Sequence, residues 1–164
     1  MTKLMRRKLP GIAVACLLVA SLVVAGATAS ATTQALDDPW VSIVPDTQEV
    51  APGGSSSVDV VVDSSTYNLQ ACKVKVSYNP AIFTDVAVKE KGLLGTTGIL
   101  VEPGSGATDG LVTYGVSRTG GNEAVPVSGT FITISFTVSA AATGSYTLDV
   151  HDSVLFETTT TTIP

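Results

Sequence analysis

The sequence predicts an all-β protein, an antiparallel β-sandwich, on three observations. Apolar and polar residues alternate with period two in several short segments, no segment carries the helical period, and Gly, Pro, Ser and Asn separate the segments. Composition agrees: 45% of the chain is hydrophobic, but only 5% is aromatic and 14% charged, with 15 glycines. Such a chain builds its core from Val, Ile, Leu and Ala and turns often, which suits strands better than long helices. So few charges exclude a charge-rich disordered chain. A length of 164 residues suits one domain and argues against a two-domain cofactor enzyme.

Residues 1–31 stand outside this fold. Lys3, Arg6, Arg7 and Lys8 precede an apolar run over residues 11–25, and Ala27-Thr28-Ala29 or Ala29-Ser30-Ala31 offers a small-residue end. This is the pattern of a cleavable secretory signal peptide. About 15 apolar residues fall short of the ~20 that a spanning helix needs. Residues 32–39 form a short polar lead.

The sandwich occupies residues 40–157. A strand at 40–44 is closed by Pro45, and Pro52-Gly53-Gly54 turns the chain into a strand at 58–62, with a loop at 64–68. Residues 69–78 alternate strictly. Cys72, Val74, Val76 and Tyr78 share one face, Ala71, Lys73, Lys75 and Ser77 the other, and Asn79-Pro80 ends the strand. A strand follows at 83–88, then a Gly-rich stretch from 92 to 110 with one short strand at 99–102. In 111–117, Val112, Tyr114 and Val116 oppose Thr113, Gly115 and Ser117. The last strands run over 131–138, with Ile132, Ile134, Phe136 and Val138 inward, and over 146–150, with Tyr146, Leu148 and Val150 inward. Residues 158–164 hold a threonine tract, the composition of a tail or linker, although threonine also suits an edge strand.

Charge and residue supply exclude several functions. Removing the leader leaves five cations against 14 acids, a charge of −9, so nucleic acid is a poor partner. Cys16 lies in the leader and Cys72 is then alone, which excludes an intrachain disulfide and makes Cys72 a buried core residue. His151 is the only histidine, no G-x-S-x-G elbow occurs, and consecutive His151 and Asp152 on a strand point to opposite faces, so no hydrolytic triad is predicted. One Cys and one His do not make a zinc site. Asp109, Glu123, Asp149 and Asp152 near strand ends read as solvated turn acids. No cofactor and no metal are predicted. Sugar stacking needs exposed aromatics. Tyr78, Tyr114 and Tyr146 fall inward, leaving Trp40 and Tyr67, and Trp40 reads as a core lid.

The run Ala71-Cys72-Lys73-Val74-Lys75-Val76-Ser77-Tyr78-Asn79-Pro80, followed by Ile82-Phe83, resembles the cohesin pattern of Cys, alternating residues, Tyr-Asp-Pro and an apolar residue. The likeness continues through Asp109-Gly110-Leu111-Val112, Ser128-Gly129-Thr130-Phe131 with the alternation after it, and Gly144-Ser145-Tyr146-Thr147-Leu148. It covers most of residues 40–157. The resemblance implies a jelly-roll sandwich of about eight to nine strands, exported, that binds the calcium-loaded dockerin of a partner in polysaccharide-degrading complexes. Departures are specific. Cohesins of the first type place Asn and Asp where this chain has Ala71 and Lys73, a frequent Glu where it has Arg118, and an apolar contact where it has Gly115. The family's last strand, which follows the position of Phe156, is absent or replaced by the threonine tract.

The expectation is thus a secreted, non-enzymatic, cohesin-like module without a membrane span after cleavage. Its partner face would be Ala71, Lys73, Lys75, Thr113, Gly115, Ser117 and Arg118, and the cations on it would meet acids on the partner. A structural or adhesive surface module and a carbohydrate-binding module are the alternatives.

Overall fold

Valines and isoleucines at every second position give each strand one apolar face, and two such sheets bury those faces against each other. A computed structural model describes residues 4–7, 12–16, 38–119 and 123–157. The threonine tract, and most of the expected leader with its expected cleavage site, lie outside these residues. Two strands come from the leader, β1 (Leu4–Arg7) and β2 (Ile12–Cys16). Nine follow: β3 (Trp40–Val44), β4 (Ser55–Asp63), β5 (Leu69–Ser77), β6 (Phe83–Glu90), β7 (Ile99–Val101), β8 (Gly106–Thr108), β9 (Leu111–Arg118), β10 (Ser128–Val138) and β11 (Gly144–Glu157). No helix occurs among the described residues.

The strands form two antiparallel sheets. One has the order β11-β5-β9-β7, with β8 pairing β9 beyond β7, and the other β3-β4-β10-β6. The leader strands lie antiparallel along the outer edge of β11. The sequence reading keeps them out of the mature sandwich. An edge strand presents unpaired N–H and C=O groups, and here β1 and β2 supply partners for them.

The core sits between the sheets. Val41, Ile43, Val58, Val60 and Val62 face Cys72, Val74, Val76, Val112 and Val116, with Ile132, Ile134 and Phe136 completing the middle. Phe83 meets Phe136 edge to face at 5.0 Å and Tyr146 at 6.5 Å. Tyr114 meets Phe131 edge to face at 5.9 Å. The three tyrosines expected inward pack against the core as the alternation requires. Phe131, a neighbour of inward Ile132, is also buried, because a bulge between Thr130 and Ile132 resets the register against β4.

Cys72 is a buried free thiol, and burial pushes its pKa up. Burial first, and then the Glu90 carboxylate, holds the Tyr114 phenol above its ordinary value.

Two strand readings change. The Gly-rich stretch contains β8 as well as β7, joined to β9 by Asp109 and Gly110 at φ 43° and 86°. A two-residue turn with both φ positive is the primed hairpin geometry that Asp-Gly favours. The final strand does not stop at residue 150. Asp152 takes φ 53° in a bulge between His151 and Val154, and pairing with β5 resumes to Glu157.

Candidate partner-binding face

The outer face of β11-β5-β9-β7 follows from register. Lys75 lies between His151 and Thr113, Lys73 between Val154 and Gly115, and Ala71 between Phe156 and Ser117. Leu100 of β7 extends the last row beyond Ser117 and is 57% exposed. Six of the seven expected residues therefore share one surface: Ala71, Lys73, Lys75, Thr113, Gly115 and Ser117. Arg118 does not join them. It follows Ser117 by one residue and so alternates to the other face, opposite Ile99, and its Nε donates to the Leu69 carbonyl at 3.2 Å. Its own carbonyl accepts from Gln70 Nε2 at 2.9 Å.

The middle of the face is shaped by a turn. Between β7 and β8 the chain runs Glu102-Pro103-Gly104-Ser105, with Ser105 N–H donating to the Glu102 carbonyl at 3.1 Å and Gly104 at φ 83°. Proline second and a positive-φ glycine third are the demands of a type II turn. The turn grips Gly115 on both sides: Glu102 N–H donates to the Gly115 carbonyl at 2.8 Å, and Gly115 N–H donates to Ser105 Oγ at 3.2 Å.

Glu102 then lies across Gly115 and reaches β5, where Lys73 Nζ donates to its Oε1 at 2.5 Å. A Cβ on Gly115 would collide with Glu102 Oε2 and stand 3.1 Å from Glu102 Cβ. Only glycine leaves room for this crossing.

The second lysine is paired as well. Lys75 Nζ lies 3.4 Å from Asp152 Oδ2. The left-handed backbone of Asp152 undoes the expected opposition of His151 and Asp152, since both now approach Lys75. Asp149, opposite Ser77, adds another outward acid. The expectation of a cationic face is therefore corrected: Lys73 is held by Glu102 of the turn after β7, and Lys75 by Asp152 of the neighbouring strand β11. Sequence reasoning missed Glu102 and Asp152, and the apolar Leu100, Val154 and Phe156. The Pro103-Gly104 pair is a local turn signal that the reading of the Gly-rich stretch left unused, and nothing in the sequence placed Glu102 over Gly115.

No group of three or more His, Cys, Asp or Glu side chains among the described residues is arranged to hold a metal ion. The outer face of the other sheet is rich in hydroxyls. Thr133 Oγ1 donates to Asp59 Oδ1 at 2.6 Å, Ser128 Oγ to Asp63 Oδ2 at 2.8 Å, and Ser55 and Thr137 hydroxyls meet at 3.1 Å.

Known proteins carry the same architecture. The third cohesin of ScaC from Acetivibrio cellulolyticus, solved in complex with the ScaB dockerin, superposes with a TM-score of 0.53 at 17% identity, covering 66% of this chain and 80% of that one. The sixth cohesin of scaffoldin B from the same organism, in complex with a Cel5 dockerin, gives 0.49 at 18% identity over 64% and 74%. CaCohA2 from Clostridium acetobutylicum gives 0.46 at 21% identity over 71% and 80%. No curated protein matches in sequence. The likeness to the ScaC cohesin makes the sandwich one of the cohesin jelly-roll type. The sequence model described as "Cohesin domain" matches residues 41–163, three-quarters of the chain, and the chain belongs to the cohesin family.

Proposed function

We propose that this protein is a secreted, non-catalytic module whose β11-β5-β9-β7 face binds the calcium-loaded dockerin of a partner protein. The observation that carries this reading is the face itself. It is an open four-stranded surface, pinned by the Glu102 to Ser105 turn and bearing Leu100, Ala71, Val154 and Phe156 beside paired charges. Apolar anchors within a polar surround are what a specific protein interface uses. Family membership supports the choice of dockerin as the partner. No step of catalysis is needed from these residues, and their work is to present a rigid surface.

Leader removal would bare the β11 edge, which borders this face. The test is titration calorimetry of the purified protein against calcium-loaded dockerins from the same genome. One-to-one binding with a Kd on the order of micromolar or tighter is expected. Loss of binding when EDTA strips the dockerin is expected too. Absence of binding to every dockerin tested would overturn the reading.

A further inference from the structure

On the proposed face the outermost charges are acids. Glu102 is 43% exposed against 30% for Lys73, and Asp152 57% against 35% for Lys75. In each pair the acid's side chain is the more exposed of the two, so an incoming group finds more of the acid open to it than of the lysine. With Asp149 on the same surface, the face carries three carboxylates and two ammonium groups.

We infer that Glu102, held over Gly115 by Lys73, sets the charge specificity of this face, and that with Asp152 it selects a partner surface bearing lysine or arginine. The inference rests on the proposed use of this face. Lys73 occupies Oε1 of Glu102, while Oε2 sits above Gly115 and can accept a charge-assisted hydrogen bond from a guanidinium or ammonium. Lys73 and Lys75 are positioning residues: they fix the carboxylates and thereby lower the ordering cost of binding. An acidic partner group would instead have to displace Glu102 from Lys73 and sit among like charges. Glu102 crosses β9 and Asp152 belongs to β11, two strands away, so the anions lie on the order of 10 Å apart. Two cations on one partner helix, about seven residues apart, match that spacing.

The test compares wild type, Glu102→Gln and Lys73→Met in binding to a calcium-loaded dockerin that the wild-type protein binds. Glu102→Gln should weaken binding at least tenfold and flatten its salt dependence, whereas Lys73→Met, which frees the carboxylate but keeps its charge, should weaken it less and leave the salt dependence in place. Tighter binding by Glu102→Gln with weaker binding by Lys73→Met would overturn the inference in favour of an acidic partner. Twofold changes or less in both would show that this pair does not set specificity, while leaving dockerin binding intact. Should no dockerin bind, the proposed function fails, and the charge inference is decided with hexalysine and hexaglutamate by NMR. Hexalysine should move the amide signals of Glu102 and Gly115 in wild type but not in Glu102→Gln, and hexaglutamate should move neither. Any other pattern overturns it.

Discussion

Glu102 and Lys73 meet across Gly115, a link between β5 and the turn after β7 that spans the intervening strand β9. Three features make it: the Pro103-Gly104 turn that aims Glu102 inward over the sheet, the missing side chain at Gly115, and the outward register of Lys73. Removing any one should open the crossing without unfolding the sandwich.

Gly115→Ala tests the steric part. Gly115 is not among the residues with positive φ, so alanine fits the strand backbone. The obstacle is a flexible carboxylate end and a Cβ that must give by a few tenths of an ångström. The expected outcome is a folded protein, within ~1 kcal/mol of wild type, in which Lys73 is acetylated faster than in wild type. Mass spectrometry of acetylated peptides reads this, and unchanged Lys73 protection would contradict the crossing.

Gly110→Ala should behave differently. Here φ is 86°, and an added Cβ would stand 2.9 Å from the Tyr78 carbonyl oxygen and 3.1 Å from Pro80 Cδ. Both neighbours are fixed, so strain adds to collision, and a loss of ~1–3 kcal/mol in urea unfolding is expected. A neutral substitution would mean that the hairpin between β8 and β9 is free to rearrange.

Cys72 should resist thiol reagents in the native protein and react only on unfolding. Its side chain is buried and its pKa is raised from an ordinary 9.0. The folded thiol therefore keeps its proton where the unfolded one loses it. Stability is full below pH 9 and falls as pH rises above it. Cys72→Ser, which buries a hydroxyl, should cost ~1–3 kcal/mol unless a neighbour accepts its hydrogen bond. Native labelling as fast as in denaturant would indicate a strand register slipped by one residue.

Secreted material should begin at Ser30 or Thr32. Mass spectrometry of protein exported from an expressing cell reads the start, and an intact Met1 on membrane-bound material would contradict cleavage. Cleavage also removes Leu4–Arg7 and Ile12–Cys16 from the β11 edge, whose amides should then exchange faster than in the uncleaved chain.

The sandwich and most of its face were legible because period two is a local signal. Lys73 and Lys75 alternate with Cys72, Val74 and Val76, and that alone placed both lysines outward and the cysteine inward. The Asp109-Gly110 pair carries the chemistry of a hairpin turn, but the hairpin went unread because β8 is too short to show alternation of its own. What the sequence withheld depended on backbone events that break the period. The bulge at Asp152 carried β11 past its apparent end and brought that acid to Lys75. Arg118 continued the strand by one residue and so left the face. The partner of Lys73 is 29 residues away and is joined to it only through the pairing of three strands.

The central claim is that the partner covers β11-β5-β9-β7 and not the hydroxyl-rich face of β3-β4-β10-β6. Hydrogen exchange of the purified protein with and without a bound calcium-loaded dockerin tests it most directly. The account predicts slowed exchange over Leu69–Ser77, Leu111–Arg118 and the Glu102 to Ser105 turn, with β4 and β10 unchanged. It also predicts that Ala71→Arg abolishes binding while Ser135→Arg, on the opposite face, leaves it intact. Protection confined to Ser55–Asp63 and Ser128–Val138 would contradict it.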